Sequence, residues 1–149
     1  MSGRILRPFQ DADRPALLEI WVAAWTLVLP QIDFAGRSVW FAGHWRMLEA
    51  GGAATMVGLV ADSPQGFVIF HPASGYIDQI CVSPETQGNG LSVLLLGAAK
   101  AHCPDGLTLK VNQDNPRATR FYRREGFFVT GEGVSEASGL KLWEMAWRG

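Results

Sequence analysis

Two glycines, Gly88 and Gly90, stand between a strand-like segment and an apolar helix-like segment, and this arrangement suits the binding of a phosphate. Residues 76–82 mix β-branched and apolar side chains, and residues 91–101 are apolar on most faces, as in a helix packed on a sheet. Such a turn directs several backbone N–H groups outward at the positive end of the helix dipole, where they can hold a phosphate or pyrophosphate. Short glycine turns that bind nothing are also common, so the turn by itself leaves both interpretations open.

Two well-known phosphate loops do not fit this stretch. A P-loop needs a second glycine five residues after the first, followed by lysine and then serine or threonine, and the sequence has no such run. The dinucleotide fingerprint needs a third glycine where Val93 stands. We therefore expect a strand–loop–helix site for a phosphorylated ligand, without the signature of a nucleoside triphosphate or NAD enzyme.

A second segment, residues 115–127, has the layout of a capped amphipathic helix. Asn115 is a preferred N-cap, and Pro116 suits the first helical turn. Tyr122 lies at the edge of an apolar stripe, and Gly126 is predicted to end the helix in a left-handed conformation. From composition alone, Tyr122 would be a tyrosine packed at the edge of the core.

Both segments resemble signatures of the GNAT acetyltransferases. The run V-x-P-x-x-Q-G-x-G-L at residues 82–91 resembles motif A, usually Q/R-x-x-G-x-G/A, with Glu85 at its first position and Ser92 in place of a later glycine. The run N-x-x-A-x-x-F-Y-x-x-x-G-F at residues 115–127 resembles the second signature. Because the two occur in the order and at roughly the spacing of the family, the resemblance covers most of the chain and implies the GNAT fold.

The resemblance implies acetyl-CoA as the cofactor, with its pyrophosphate held by the N–H groups of the glycine loop. In this family the strand before the loop parts from the next strand, so the main chain of Ile80 and Val82 can bond the pantetheine arm, and the Val82 N–H can polarise the thioester oxygen. A capping role explains Asn115 equally well, and a buried structural thiol is the favoured interpretation of Cys81. The predicted cofactor-binding residues are Ile80, Cys81, Val82, Gln87, Gly88, Asn89, Gly90, Leu91, Ser92, Asn112, Asn115 and Tyr122.

The resemblance also implies catalytic roles for Tyr122 and Asp78. The leaving thiolate of CoA needs a proton, and a phenol with a pKa of about 10 stays protonated at neutral pH, so Tyr122 is predicted to be the general acid. Asp78 is expected to accept the proton of the acceptor amine through a water relay, to anchor a substrate ammonium, or simply to carry a solvated charge. Period-two alternation predicts that four residues of this strand share one face: Tyr76, Asp78, Ile80 and Val82.

An aromatic and histidine-containing cluster lies in the first two predicted helices, where the family builds its acceptor pocket. Its members are Trp21, Trp25, Phe34, Trp40, His44 and Trp45. Core packing explains each of them as readily as substrate contact does. The residues predicted to bind substrate are Trp25, Phe34, His44, Tyr76 and Asp78. His44 and His71 lack the partners of a metal site, so no metal is predicted.

The elements that must position these residues follow from periodicity and turn signals. We predict helices at 14–25, 35–49, 91–101 and from 116, the first capped by Asp13. We predict strands at 4–7, 53–61, 66–70, 76–82, 107–111, 127–132 and 140–147, with a hairpin turn at 62–65. The order β-α-α-β-β-β-α-β-α-β-β predicts a mixed α/β (α+β) sheet with helices on both faces, which is the order expected of the GNAT fold.

Composition bounds the function further. The 149 residues suit a single domain, 1–149, with 48% hydrophobic and 18% charged residues, which are ordinary globular values. A net charge of −1 gives no argument for nucleic acid or an anionic membrane as a partner. No stretch approaches the length of a membrane span, and the N-terminus lacks the apolar run of a signal peptide. Cys81 and Cys103, without metal-type spacing, indicate a reducing compartment, so a cytoplasmic location is predicted.

The leading hypothesis is an N-acetyltransferase that moves acetyl from acetyl-CoA directly to a primary amine of a small molecule, amino acid or peptide. The alternative is a non-catalytic acyl-CoA-binding or sensor domain of the same fold, against which the presence of Tyr122 argues. No feature of the sequence selects the acceptor. Domains of this kind are often dimers, so the sequence leaves a homodimer open.

Overall fold

Within the residues that the structure describes, seven strands and four α-helices follow one another in the predicted order. The computed structural model describes residues 3–88, 90–136 and 138–149. The strands are β1 (Arg4–Pro8), β2 (Ala54–Val60), β3 (Ser63–Phe70), β4 (Tyr76–Val82), β5 (Leu107–Asn112), β6 (Phe128–Val134) and β7 (Lys141–Trp147). The helices are α1 (Arg14–Val28), α2 (Ser38–Ala50), α3 (Leu91–His102) and α4 (Pro116–Arg124). No helix in the described part of the chain is both long and apolar enough to cross a bilayer.

The strands form one mixed sheet in the order β1-β2-β3-β4-β5-β7-β6. All neighbouring pairs are antiparallel except β4 and β5, which are parallel. A parallel pair needs a crossover connection, and α3 supplies it. The predicted mixed α/β fold is therefore confirmed.

Each face of the sheet carries its own hydrophobic core. On one face, Leu95, Leu96 and Ala99 of α3 are fully buried against Val68 and Phe70 of β3. On the other face, α1 and α2 cover the neighbouring side chains of the same strands, which alternate by the two-residue period. Burial on both faces explains why β3 reads as an apolar run rather than as an alternating strand.

The second core consists largely of stacked aromatic rings. Trp21 lies flat on Phe41, with ring centroids 4.4 Å apart and planes 2° apart. Trp45 lies on Phe67 at 5.2 Å, and its indole N–H donates to Thr55 Oγ1 at 3.2 Å. Since a buried indole needs an acceptor, this bond fixes Trp45 inside the core.

The hydrogen bonds at the start of α1 differ from those that the sequence predicts. Asp13 occupies the N-cap position of α1 as predicted, but its side chain makes no capping hydrogen bond to the helix. Its carboxylate instead accepts the Gln10 N–H at 2.9 Å and pairs with Arg7 at 2.7 Å. A 3-10 turn, Asp11–Asp13, leads into the helix. Helix α2 begins at Ser38, three residues later than the sequence predicts. The Asp33 carboxylate accepts the Gly36 N–H and holds residues 34–37 in a turn before the helix.

The β2–β3 hairpin turns earlier than predicted. Its two turn residues are Ala61 and Asp62, with φ of 51° and 65°, and β3 begins at Ser63. Pro64 suggests a turn in the sequence, but in the structure it belongs to β3. It lies opposite Leu59 at a register irregularity, and on its other side β4 does not extend that far, so no neighbouring strand needs the N–H that proline lacks.

Candidate active site

The parallel strands β4 and β5 separate after a short stretch of pairing. They pair at Tyr76–Thr108 and Ile77–Leu109, and the described residues show no further β4–β5 partner. Beyond that point β5 pairs with β7 alone. A wedge-shaped seam therefore opens in the middle of the sheet, as the resemblance implies.

The seam begins at a β-bulge. On β3, Ile69 lies opposite Gln79 and Phe70 lies opposite Ile77, so Asp78 is an extra residue without a partner. A bulge bends a strand and increases its twist, which accounts for the loss of β5 pairing directly after Ile77.

The bulge also reverses the alternation of side chains along β4. Ile77, Ile80 and Val82 pack into the core under α3, whereas Tyr76 and Asp78 line a cavity on the opposite side. The prediction that Tyr76, Asp78, Ile80 and Val82 share one face was therefore wrong, because strict two-residue alternation does not survive an inserted residue.

Backbone direction at the end of β4 brings one donor to the seam. The Ser83 N–H donates to the Gln65 carbonyl on the β3 side at 2.7 Å. Successive N–H groups of an extended strand point to opposite sides, so the Val82 N–H points toward the seam. This orientation supports the contact predicted for Val82.

Both glycines of the loop have left-handed backbone conformations. Gly88 and Gly90 have φ of 89° and 87°, which favours glycine at both positions. A side chain at Gly88 would meet no atom within 4 Å, so the loop faces open space. The first hydrogen bond of α3 runs from the Leu94 N–H to the Gly90 carbonyl, so the N–H groups of Ser92 and Val93 have no partner within the helix.

Two arginines flank this loop, and the sequence did not predict either of them. Arg117 Nη1 donates to Gln87 Oε1 at 2.8 Å, linking the start of α4 to the loop. Arg4 Nη1 lies 2.5 Å from the point that a Cβ on Gly90 would occupy. Arg117 could have been predicted from the sequence, because it lies two residues after Asn115, the N-cap of α4. Arg4 has no local signal, because only the sheet topology brings β1 to α3.

Asn89 and Leu91 are also among the loop residues predicted to bind the cofactor. Asn89 lies outside the described residues. The Leu91 side chain is buried in the core under α3, so this side chain is not exposed for a contact at the loop.

The second signature forms α4 and buries Tyr122. Asn115 caps α4 as predicted, with its Oδ1 accepting the Ala118 N–H at 3.2 Å, and Gly126 follows the helix with φ of 96°. Tyr122 is buried in the same core as Val82 of β4 and Val111 of β5, the strands on either side of the seam. Burial raises the pKa of the Tyr122 phenol, and the nearby Cys81 thiol raises it further, so the hydroxyl is protonated at neutral pH.

Cys81 is a buried thiol with little nucleophilic character. Burial raises its pKa to about 12, although hydrogen bonds from Gln79 and Trp25 partly offset that effect. The Gln79 amide donates to Sγ at 3.2 Å. Since the thiolate is the reactive form, these contacts support the structural interpretation of Cys81.

A cavity of about 520 Å³ opens on the α1–α2 side of the seam. All five residues predicted to bind substrate line it: Trp25, Phe34, His44, Tyr76 and Asp78. Asn112 at the end of β5 also reaches its wall, whereas Trp45 of the predicted aromatic cluster is fully buried away from it. Three charged residues of the lining were not predicted: Arg37, Lys110 and Glu136.

The acid of the cavity is paired with its histidine. His44 Nε2 lies 3.2 Å from each carboxylate oxygen of Asp78, and both side chains are largely buried. Trp40 lies parallel to the His44 ring, at 5.1 Å and 7°. The contacts on both sides hold the imidazole in one orientation next to the carboxylate.

Asp78 also affects a neighbouring phenol. Burial raises the pKa of Tyr76, and the negative charges of Asp78 and Glu144 raise it further. Tyr76 is therefore a neutral hydrogen-bonding group at the end of the paired stretch. Among the described residues, no group of three His, Cys, Asp or Glu side chains is arranged to hold a metal ion.

Known proteins resemble both the sequence and the fold. A family model described as the acetyltransferase (GNAT) domain matches residues 43–148. The peptidyl-lysine N-acetyltransferase YjaB of Salmonella typhimurium is 36% identical over 70 residues, which span 47% of this chain and 46% of that protein, about half the length of each.

Two solved structures share the fold. The solution structure of apo YjaB from Escherichia coli matches with a TM-score of 0.79 and 24% identity, over 97% of both chains. The structure of yncA from Salmonella typhimurium, solved with its cofactor acetyl-CoA, matches with a TM-score of 0.69 and 21% identity, over 99% of this chain and 94% of that one.

Proposed function

Because this chain belongs to the GNAT acetyltransferase family, we propose that it moves an acetyl group from acetyl-CoA directly to a primary amine. The observation that carries the proposal is the parting of β4 from β5 after Ile77, directly beside Asp78, which lines the cavity. A substrate acetyl group and an acceptor nitrogen can meet there from opposite sides of the sheet.

The residues present fit acetyl-CoA, which supplies an acetyl group activated as a thioester. The open space at Gly88 and the N–H groups of Ser92 and Val93 suit a pyrophosphate at the positive end of α3. Arg4 and Arg117 add positive charge beside the loop. The seam leaves room for the extended pantetheine arm along the main chain of Ile80 and Val82.

The chain's own residues then supply orientation and proton transfer. The Val82 N–H donates to the thioester oxygen and stabilises the negative charge that develops there. The acceptor ammonium would first lose one proton to the Asp78–His44 pair, and the lone pair of the neutral nitrogen would form the new bond to the carbonyl carbon as the carbon–sulfur bond breaks. The acylated nitrogen would then lose a second proton to solvent and become a neutral amide nitrogen. Tyr122 donates one proton to the departing sulfur and is reprotonated from solvent, so the products are an amide and a free thiol.

The acceptor class extends to peptides. YjaB is named a peptidyl-lysine N-acetyltransferase, and a lysine side chain ends in a primary amine. The proposed acceptor is therefore a primary amine of a small molecule, an amino acid or a peptide.

Cofactor binding and transfer are tested separately. We expect acetyl-CoA and CoA, but not ATP, to raise the melting temperature, because a ligand that binds only the native state stabilises it. We then expect amine-dependent release of free thiol, with mass spectrometry showing an acetylated amine. Absence of both effects would contradict the proposal, whereas binding without transfer to any amine would favour a non-catalytic acyl-CoA-binding domain.

A further inference from the structure

The walls of the cavity are unusually rich in aromatic rings for a site that must receive a polar amine. Trp25, Phe34 and Trp40 line it together with Trp21 and Phe41, which stack on each other beneath. Its volume of about 520 Å³ falls within the range of roughly 300–1,000 Å³ found for small-molecule sites. The wall also carries polar and charged side chains, so the volume and the aromatic part of the wall suit an apolar body attached to an amine nitrogen.

Trp40 gives a second indication. Its side chain is 51% exposed although it lies parallel to His44 at the cavity wall. Large exposed aromatic side chains at a concave site commonly mark a contact surface for a ligand. A flat ring placed against the open part of Trp40 would remove this surface from water.

Charge in the cavity favours a ligand with one cationic nitrogen. Asp78 lies at the inner end beside His44, and Arg37, Lys110 and Glu136 complete the ionisable lining with Tyr76. The two carboxylates and two cations balance, and Glu136 is exposed. A polyamine would need a second buried acid for its second ammonium, and none lines the cavity among the described residues. An ammonium near Asp78 would also be attracted by the neighbouring ring faces.

Resting on the proposed function, we propose that the acceptor is an arylalkylamine: a small primary amine carried by a flat aromatic body. Its nitrogen lies at the Asp78–His44 pair, next to the seam, and its ring packs against Trp25, Phe34 and Trp40. A lysine side chain brings four methylene groups and leaves most of this aromatic wall uncovered. The aromatic wall is therefore a determinant of acceptor specificity.

The test compares amines under saturating acetyl-CoA by thiol release. The panel contains 2-phenylethylamine, tryptamine, butylamine, spermidine and a short peptide with one internal lysine. We expect kcat/KM for the two aryl amines to exceed those for butylamine and for the peptide by at least tenfold. A peptide or spermidine that equals or exceeds the aryl amines would overturn the inference while leaving the N-acetyltransferase proposal intact. Failure of every amine together with failure to bind acetyl-CoA would instead overturn the proposed function.

A pair of variants on α2 makes the test specific. Trp40→Ala removes an exposed ring of the wall, and Val39→Ala, at a neighbouring residue that is 83% exposed, is the matched control. We expect Trp40→Ala to raise KM for 2-phenylethylamine about tenfold, Trp40→Phe to restore most of it, and Val39→Ala to change nothing. The ratio of KM for 2-phenylethylamine to KM for butylamine should therefore rise about tenfold in Trp40→Ala and stay within about twofold of wild type in Trp40→Phe and Val39→Ala. An equal rise for both amines in Trp40→Ala would contradict ring recognition.

Discussion

Replacing Gly88 by alanine tests whether the glycine loop holds phosphate. Gly88 has φ of +89°, and a Cβ built there meets no atom within 4 Å. Gly52, in the connection between α2 and β2, has φ of +99° and the same empty surroundings. An alanine in this left-handed conformation costs roughly 1–2 kcal/mol, so Gly88→Ala and Gly52→Ala should lower the free energy of unfolding by similar amounts.

The two variants should differ in cofactor affinity. At Gly88 the new methyl group would occupy open space at the loop, which a phosphate bound there would otherwise enter. A hydrogen bond to a charged group contributes about 1.5–3 kcal/mol, and about 1.4 kcal/mol corresponds to a tenfold change in Kd. We therefore expect Gly88→Ala to weaken acetyl-CoA binding about 10- to 100-fold, and Gly52→Ala to leave it unchanged.

Urea denaturation measures the strain, and titration calorimetry with acetyl-CoA measures affinity. The refuting result is equal affinity in the two variants after equal destabilisation, because the loop would then be a turn without a ligand. A much larger destabilisation by Gly88→Ala than by Gly52→Ala would mean that the methyl group meets protein atoms, contrary to the geometry.

Four further predictions concern the chemistry and the stability of the fold. Tyr122→Phe should lower kcat for thiol release about 10²- to 10⁴-fold with little change in the KM for acetyl-CoA, and a wild-type rate would remove Tyr122 from the acid role. His44→Gln should slow acetylation near pH 7 by about 10²-fold, with the deficit shrinking at alkaline pH where the amine is already neutral; a deficit independent of pH would indicate a structural role. Burial raises the pKa of Cys81 from 9.0 to about 12, so the folded state keeps a proton that the unfolded state loses. This contribution to the free energy of unfolding should be fully present below pH 9 and should be lost above it by up to about 1.4 kcal/mol per pH unit. Urea titrations at several pH values should show a smaller loss for Cys81→Ala than for wild type. Ala61→Asn should raise the free energy of unfolding by about 0.5–1 kcal/mol without changing activity, because φ at this hairpin residue is 51°; an unchanged denaturation midpoint would contradict strain there.

Local rules predicted much of this molecule because they depend on neighbours in the sequence. The cap at Asn115, the left-handed Gly126 and the limits of β4 all follow from residue types at short spacing. The hairpin was misplaced because the Asp-Ser-Pro signal at 62–64 outweighed the pairing that extends β3 back to Ser63. Pairing with another strand, which decides such cases, is not written in the local sequence.

The site depends on contacts between distant segments, which explains what the sequence could not predict. His44 of α2 and Asp78 of β4 are 34 residues apart in the sequence and meet at the cavity. Arg4 and Arg117 lie on β1 and α4, which are far apart in the sequence, and both come to the same loop. Motif resemblance named the loop, Tyr122 and Asp78, but the partners that orient them emerge only from the topology.

The bulge at Asp78 affects both the pairing of the sheet and the position of the proposed proton acceptor. Without the extra residue, alternation would turn Asp78 to the side of Ile80 and Val82, into the apolar core under α3, where an unpaired carboxylate is strongly destabilising. With it, Asp78 faces His44 and the cavity, while Ile80 and Val82 keep their packing. Because the same insertion ends β4–β5 pairing at Ile77, it also opens the seam that a thioester would need. One inserted residue therefore accounts both for the position of the acid and for the parting of the two strands.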